Sequence, residues 1–313
     1  MQKMISNIVF TKNRPLQLHA YLESLYRYFP LQIIRTYIIY KEELFGEQYD
    51  ALFQRFSDCI VIREKDFHND FLKLLDRINT KLILFGVDDV VYFDSVDFEV
   101  IDEAFNKFPN DVFGFSLRFS EQNIKDSNDP IRQDIIAGQI VYRMSWTQGQ
   151  TPTTRYPFEL CATIYLTALV KKIIGRVMNN NPLVRKLFSP GSLLIKAFGK
   201  TKSPRSVLKS FGYFFNPNTL ESWSCRWCQN HSAELPNYLY FQKLCASAIQ
   251  VNMVNISARK KFNSSDEYTV ETLAEKYKQG YRLDIDFVSQ NKPSRTHLSA
   301  ASFRLTRNRY STI

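Results

Sequence analysis

Two adjacent carboxylates, Asp88 and Asp89, are the residues of this 313-residue sequence whose types and spacing are best suited to chemistry. They follow an apolar run at residues 82–85 and a glycine, a pattern typical of a strand buried on both faces of a parallel sheet. Ligands of open α/β sheets collect at the carboxyl ends of such strands. Mg²⁺ or Mn²⁺ commonly binds one or two carboxylates together with substrate phosphates, and a cation would relieve the cost of placing two acids in apolar surroundings. The pair alone fits a metal site and a loop acid beside a helix cap equally well.

A second candidate lies at residues 11–15, between a predicted strand at residues 5–10 and a predicted helix that begins at Pro15. The N-terminus of a helix attracts anions through its free N–H groups, and Lys12 and Arg14 add two cations there. The sequence therefore predicts an anion site, with a solvated loop as the alternative.

The elements that must position these residues alternate between strand and helix up to about residue 120. Strands are predicted at residues 5–10, 33–40, 59–62, 82–85 and 112–117, with helices between them. This order is typical of an α/β fold with a doubly wound, mostly parallel sheet. The alternation then weakens, so we expect a ligand-binding half at residues 1–120 and a mixed half at residues 121–313.

The second half carries less regular patterns. We predict strands at residues 135–142, 251–256 and 283–287, a helical segment at 158–177 and a helix capped by Thr269.

Composition excludes several classes of protein. A hydrophobic content of 44% and an aromatic content of 14% are those of a folded globule. No apolar run approaches the roughly 18 residues of a membrane span. The first ten residues lack the layout of a signal peptide, and the five cysteines lack the spacing of a disulfide framework. We therefore expect a cytoplasmic protein.

The net charge of +10 is concentrated in residues 171–209, which hold ten Lys and Arg residues and no acid. Aliphatic residues are mixed with these cations. Such mixtures occur in surface insertions and in segments that lie on anionic membranes. Nucleic-acid binding would require fewer aliphatic and more stacking aromatic residues, so it is the less favoured interpretation. We expect an insertion at about residues 171–210, with peripheral membrane contact as an open possibility.

Cys225, Cys228 and His231 are spaced like zinc ligands. A structural zinc site needs four ligands, usually as two pairs, and only Cys245 lies nearby. Reduced cysteines are therefore the favoured interpretation, and zinc binding stays open.

Taken together, these features resemble the GT-A glycosyltransferases, specifically family-2-like bacterial-type enzymes. The matching segments are residues 7–25, 84–93, 112–118, 155–165, 216–222 and 277–288. The resemblance implies a Rossmann-like GT-A fold and a nucleotide-sugar donor such as a UDP- or GDP-sugar. It further implies metal-dependent, inverting transfer to a glycan or lipid-linked acceptor in surface polysaccharide or glycoconjugate synthesis.

The resemblance also implies roles for individual residues at the donor side. Thr11, Lys12 and Arg14 would line the nucleotide pocket. Asp88 would lie against the ribose or the metal, and Asp89 would hold Mn²⁺ or Mg²⁺. Val87 stands where the usual acidic motif has its first aspartate, so one contact of that motif is missing.

At the acceptor side, Glu221 would be the catalytic base and His297 would complete the metal shell. A helix-start acid and a surface histidine are the respective alternatives. Cys161 and Ala162 replace an Asp-Gly pair that is frequent in similar sequences, which leaves acceptor recognition open.

Two other functions compete with sugar transfer. One is a non-enzymatic module that binds anionic membrane or nucleic acid through residues 171–209. The other is a metal-dependent phosphoryl-transfer enzyme, which would need more converging acids than Asp88 and Asp89 supply.

Overall fold

The structure, a computed structural model, describes residues 3–178, 212–231, 233–251 and 268–307. The strands are β1 (Ile5–Lys12), β2 (Ile34–Lys41), β3 (Ile60–Arg63), β4 (Leu82–Val87), β5 (Val90–Tyr92), β6 (Val112–Ser116), β7 (Ile131–Ile136), β8 (Gln139–Ser145), β9 (Thr163–Leu166), β10 (Asn237–Phe241), β11 (Ala246–Ile249), β12 (Tyr281–Leu283), β13 (His297–Leu298) and β14 (Leu305–Arg307). The helices are α1 (Pro15–Tyr28), α2 (Gly46–Arg55), α3 (Phe67–Arg77), α4 (Phe98–Lys107), α5 (Glu121–Lys125), α6 (Thr167–Val177), α7 (Pro217–His231), α8 (Val270–Lys278) and α9 (Ile285–Asn291).

Nine strands form the central sheet, in the order β3-β2-β1-β4-β9-β6-β10-β8-β7. Neighbouring strands from β3 to β4 are parallel, as are β6 and β10, whereas β9 and β8 run antiparallel to their neighbours. The predicted α/β class with a mostly parallel sheet is confirmed. Strands from both sides of residue 120 share this sheet, and the division into two halves stays a prediction.

Strand β4 shows why the sheet is covered on both faces. Its side chains alternate, so Leu82 and Leu84 pack into one hydrophobic cluster and Ile83 and Phe85 into the other. All four are fully buried. An uninterrupted apolar run is therefore what this central strand requires.

Three predicted elements of the second half are wrong in part. The helical segment predicted at residues 158–177 is a helix only from Thr167, where α6 begins, and strand β9 precedes it. Periodicity cannot distinguish a four-residue apolar strand from the start of a helix. Residues 135–142 belong to the hairpin of β7 and β8, whose turn at Ala137 and Gly138 has positive φ angles of 46° and 73°.

Residues 283–287 leave strand β12 and enter helix α9. The Asp284 carboxylate accepts a hydrogen bond from the Phe287 N–H at 2.8 Å and caps that helix. The helix capped by Thr269 is confirmed as α8. Most of the strand predicted at 251–256 lies outside the described residues.

The basic stretch is described only at its start. Lys171 donates to the carbonyl oxygens of Asp76 and Ile78, which ties α6 to the end of α3. Residues 179–211 lie outside the described part, so the insertion and its membrane contact stay predictions. No described helix combines the length and apolarity needed to cross a bilayer.

Candidate active site

A cleft of about 670 Å³ opens where β1 and β4 end. It brings together every residue that the sequence singled out for the site: Thr11, Lys12, Arg14, Asp88, Asp89, Glu221 and His297. Strands β1 and β4 are parallel neighbours, and Phe10 of β1 lies opposite Val87 of β4. This register places the residues that follow β1 beside the residues that follow β4. The Asp88 N–H donates to the Phe10 carbonyl at 3.3 Å, which holds the acidic pair against the loop that starts at Thr11.

Asp88 is part of a buried clamp with Arg14 and Thr11. Its Oδ1 accepts from Arg14 Nη1 at 2.5 Å and its Oδ2 accepts from Thr11 Oγ1 at 2.7 Å. Asp88 and Arg14 are 3% and 6% exposed. Burial raises the pKa of Asp88 to about 6, against the opposing effect of the Arg14 cation, so the carboxyl is ionised at neutral pH. Both oxygens of Asp88 are thus engaged within the protein.

Asp89 has different surroundings although it is the next residue. Its side chain is 20% exposed, and Oδ2 lies 3.9 Å from Arg14 Nη1. Its Oδ1 is buried without a hydrogen-bond partner among the described residues. A buried carboxylate oxygen of this kind is a site for a cation or for a ligand donor.

Lys12 lies at the rim of the cleft, where its Nζ is 2.9 Å from Glu43 Oε2 and both side chains are largely exposed. It is therefore free to exchange this partner for an anion at little cost.

Glu221 lies in the first part of helix α7, yet it does not cap that helix. The preceding turn is held by Asn216, whose side chain accepts from the Thr219 N–H at 2.9 Å. The Glu221 carboxylate instead accepts from the Leu160 N–H at 3.3 Å, and both residues line the cleft. Burial, and then the nearby Glu159 carboxylate, raise the pKa of Glu221 to about 7. A carboxyl with this pKa suits a general base near neutral pH.

His297 reaches the cleft from β13, which pairs with β11. Its Nε2 is 3.4 Å from Arg118 Nη1, and its Nδ1 is 3.2 Å from Thr296 Oγ1. The surrounding protein, together with the Arg118 cation, lowers the pKa of His297 to about 4, so the ring is neutral at pH 7. Metal ligation by Nε2 would require Arg118 to release it.

Sequence reasoning missed Arg118 and Glu159, which form a buried ion pair in the same cleft. Arg118 comes directly after a predicted strand, and this position at the carboxyl edge of the sheet is the signal that could have identified it. Glu159 precedes a strand that was itself not predicted.

The balance of charged side chains in the cleft lining is relevant to whether the cleft could hold a divalent cation. Its lining holds four cations and five carboxylates: Lys12, Arg14, Lys41 and Arg118, with Glu64, Asp88, Asp89, Glu159 and Glu221. The cleft lining alone therefore offers a diphosphate no excess of positive charge. A divalent cation would supply that excess. Within the described ranges, no group of three His, Cys, Asp or Glu side chains is arranged to hold a metal. The residues present fit a cation held by Asp89 and completed by substrate phosphates and water.

The zinc interpretation finds no support among the described residues. Cys225 and Cys228 are buried in α7, and the His231 ring stacks on Trp227 with its Nδ1 2.9 Å from the Trp227 carbonyl oxygen. These three side chains form no metal-binding group.

The chain resembles known proteins over part of its length. The chain is 23% identical over 194 residues to the bifunctional glycosyltransferase pgtA of Dictyostelium discoideum. The resemblance to glycosyltransferases is confirmed. The alignment covers 55% of this chain and 25% of pgtA, so the chain spans about a quarter of that relative. No family model matches the chain.

Solved structures also resemble the fold in part. S. aureus TarS 1-349 in complex with UDP matches with a TM-score of 0.38 and 16% identity, over 54% of this chain and 48% of that chain. The mannosyltransferase PcManGT from Pyrobaculum calidifontis, in complex with GDP-Man and Mn²⁺, matches with a TM-score of 0.30 and 11% identity, over 39% of this chain and 37% of that chain.

Proposed function

We propose that this protein is a glycosyltransferase that moves a sugar from a nucleoside-diphosphate sugar to a hydroxyl group of a glycan or lipid-linked acceptor. The observation that carries the proposal is one cleft lined by a cationic loop, by Asp89, which has an unpartnered carboxylate oxygen among the described residues, and by Glu221, a carboxyl of raised pKa. The sequence relation to a glycosyltransferase supports the same reaction.

The donor would be a UDP- or GDP-sugar bound beside Thr11, Lys12 and Arg14 at the end of β1. Asp88 would act indirectly, because its clamp holds the Arg14 guanidinium in the cleft. Asp89 would hold Mn²⁺ or Mg²⁺, a Lewis acid that neutralises the departing diphosphate when it is bound.

Glu221 would serve as the general base. The proton of the acceptor hydroxyl passes to the Glu221 carboxylate, the oxygen attacks the anomeric carbon, and the bond to the diphosphate breaks. A single base that acts on the face opposite the leaving group gives an inverting reaction. The unprotonated form of Glu221 is required, so the rate is expected to rise with pH and level off above about 7.

We propose that the acceptor is an intermediate in the synthesis of a surface polysaccharide or glycoconjugate. Residues 171–209 would bring the enzyme to an anionic membrane where lipid-linked acceptors lie, since ten cations without an acid favour that surface.

Calorimetric titration with UDP and with GDP, each with and without Mn²⁺, tests the proposal. We expect Mn²⁺ to strengthen binding of one nucleotide, and Asp89→Asn to weaken that binding at least about tenfold. Asp94→Asn is the matched control, because Asp94 pairs with Lys243 outside the residues that line the cleft. Binding that Mn²⁺ leaves unchanged for both nucleotides would contradict the metal-dependent reaction.

A further inference from the structure

The lining of the cleft contains an ion pair that has no role in the proposed reaction as described above. Arg118 is 4% exposed and Glu159 is 7% exposed, and Arg118 Nη2 donates to Glu159 Oε2. The second oxygen, Oε1, accepts from Thr163 Oγ1 at 2.5 Å. A buried ion pair is costly to form and stabilises little on net, so net stabilisation alone does not account for this pair.

Glu159 is also fixed through its backbone. Its N–H donates to Tyr165 Oη at 2.9 Å, and that hydroxyl donates back to the Glu159 carbonyl at 3.1 Å. The next N–H along the chain belongs to Leu160 and donates to Glu221 Oε1. The residue that anchors the ion pair thereby directs the hydrogen bond that holds Glu221.

Arg118 also contacts a second residue of the cleft lining. Its Nη1 lies 3.4 Å from His297 Nε2, so one guanidinium connects Glu159 with His297.

We propose that Glu159, held by Arg118, is a positioning residue for Glu221, acting through the Leu160 N–H and through its own negative charge. This inference rests on the proposed function, in which Glu221 is the base. Glu159 takes no proton and forms no bond with substrate in this role.

The charge of Glu159 acts on Glu221 together with its other neighbours. The groups that influence Glu221 are Glu159 and Asp89, which favour its protonated form, and Arg118, which opposes them. Tyr156, Cys161 and Cys225 also lie near and are neutral at pH 7, because burial raises the pKa of each. Removal of the Glu159 charge should therefore lower the pKa of Glu221. The Arg118 cation, no longer paired with Glu159, should lower the pKa of Glu221 further.

The test uses Glu159→Gln, which keeps the size of the side chain and removes its charge. The pKa of Glu221 is measured without substrate from the ¹³C shift of its carboxyl carbon, with the resonance assigned by its loss in Glu221→Gln. We expect a fall on the order of one pH unit. Asp134→Asn is the matched control, because Asp134 pairs with Arg143 at 3.1 Å in the sheet away from the cleft lining, and it should leave the value unchanged. An unchanged value in Glu159→Gln, or an equal fall in the control, would overturn the inference.

A second measurement separates positioning from a purely structural role. The acidic limb of the kcat profile should move to lower pH in Glu159→Gln and stay near its original position in Glu159→Asp, which retains the charge. A loss of kcat with no movement of the limb counts against positioning. The carboxyl titration needs no donor, so failure to turn over any nucleotide sugar would refute the proposed function while leaving that titration result in place.

Discussion

Asp88 and Asp89 are adjacent in sequence, and their surroundings assign them different tasks. Both carboxylate oxygens of Asp88 accept hydrogen bonds, from Arg14 and from Thr11. One buried oxygen of Asp89 has no hydrogen-bond partner in the described chain. Removing one member of a buried ion pair leaves the other charge uncompensated. Asp88 therefore holds the buried Arg14 cation in place, and in our proposal Asp89 binds the ligand.

Substitution of each aspartate by asparagine should separate these tasks. Asp88→Asn should lower the free energy of unfolding by about 3 kcal/mol, because the Arg14 cation would stay buried and, of its two carboxylate neighbours in the described chain, would keep Asp89 at 3.9 Å. Asp89→Asn should change it by less than about 1 kcal/mol, because it removes a carboxylate that makes no hydrogen bond through Oδ1. Urea denaturation of the ligand-free proteins measures both. Equal losses in the two variants would contradict the division of tasks.

The membership of the site could largely be predicted from residue type and position. Acids after an apolar strand, cations before a helix and a late acid and histidine all line the same cleft. The Arg118–Glu159 pair could not be predicted, because its partners are 41 positions apart and meet only once β9 enters the sheet. The roles of the individual residues stay predictions.

Among the elements, β4 and α1 are joined by an unusually close approach. A Cβ atom on Gly86 of β4 would lie 2.1 Å from Tyr21 Oη of α1. That hydroxyl donates to Asn7 Oδ1 at 2.8 Å and lies 3.3 Å from Tyr92 Oη, so it has little freedom to move. Glycine at this position is what allows the helix to lie against the strand that carries the acidic pair.

Gly86→Ala should therefore destabilise the protein by about 1–3 kcal/mol through overpacking. Gly175→Ala in α6 is the matched control, since no other part of the described chain lies within 4 Å of the added methyl group and a helical alanine is favoured over glycine. It should leave stability unchanged or raise it by up to about 1 kcal/mol. Thermal unfolding of the two variants makes the comparison, and similar shifts in Tm would show that the Tyr21 contact does not matter.

Most elements of the first half could be predicted, because apolar strands alternate there with amphipathic helices; the three-residue strand β5 was not predicted. Apart from α8, the elements of the second half were not predicted with these bounds, for local reasons. Strand β9 has only four residues and leads directly into α6, and the cap formed by Asp284 converts an alternating pattern into a helix. Short elements are decided by tertiary pairing and capping rather than by periodicity.

For the whole molecule, the raised pKa of Glu221 links stability to pH. The Glu221 carboxyl has a pKa of about 7 in the folded protein and near 4.5 in the unfolded chain. Its contribution to the stability of the folded state is therefore fully present at pH values below 4.5. That contribution is lost as the pH rises from about 4.5 through 7. The protein should therefore become less stable over this range on account of Glu221.

Glu221→Gln should remove this dependence. We expect the variant to exceed the original protein in unfolding free energy by about 2 kcal/mol at pH 8 and to match it near pH 4. Glu234→Gln, which changes an exposed acid 3.8 Å from Lys172, should follow the original protein at both pH values. Guanidinium denaturation at the two pH values measures the difference in unfolding free energy between the variant and the original protein. A difference that does not change with pH would argue that burial does not raise the pKa of Glu221.

Strand β9 also has a consequence for biosynthesis. It lies between β4 and β6 in the sheet but is translated after both of them. Until residue 166 leaves the ribosome, the edges of β4 and β6 that later pair with β9 present backbone N–H and C=O groups without a partner strand. Nascent chains are thus prone to pair with one another in this interval, and a chaperone that shields strand edges would act on them then.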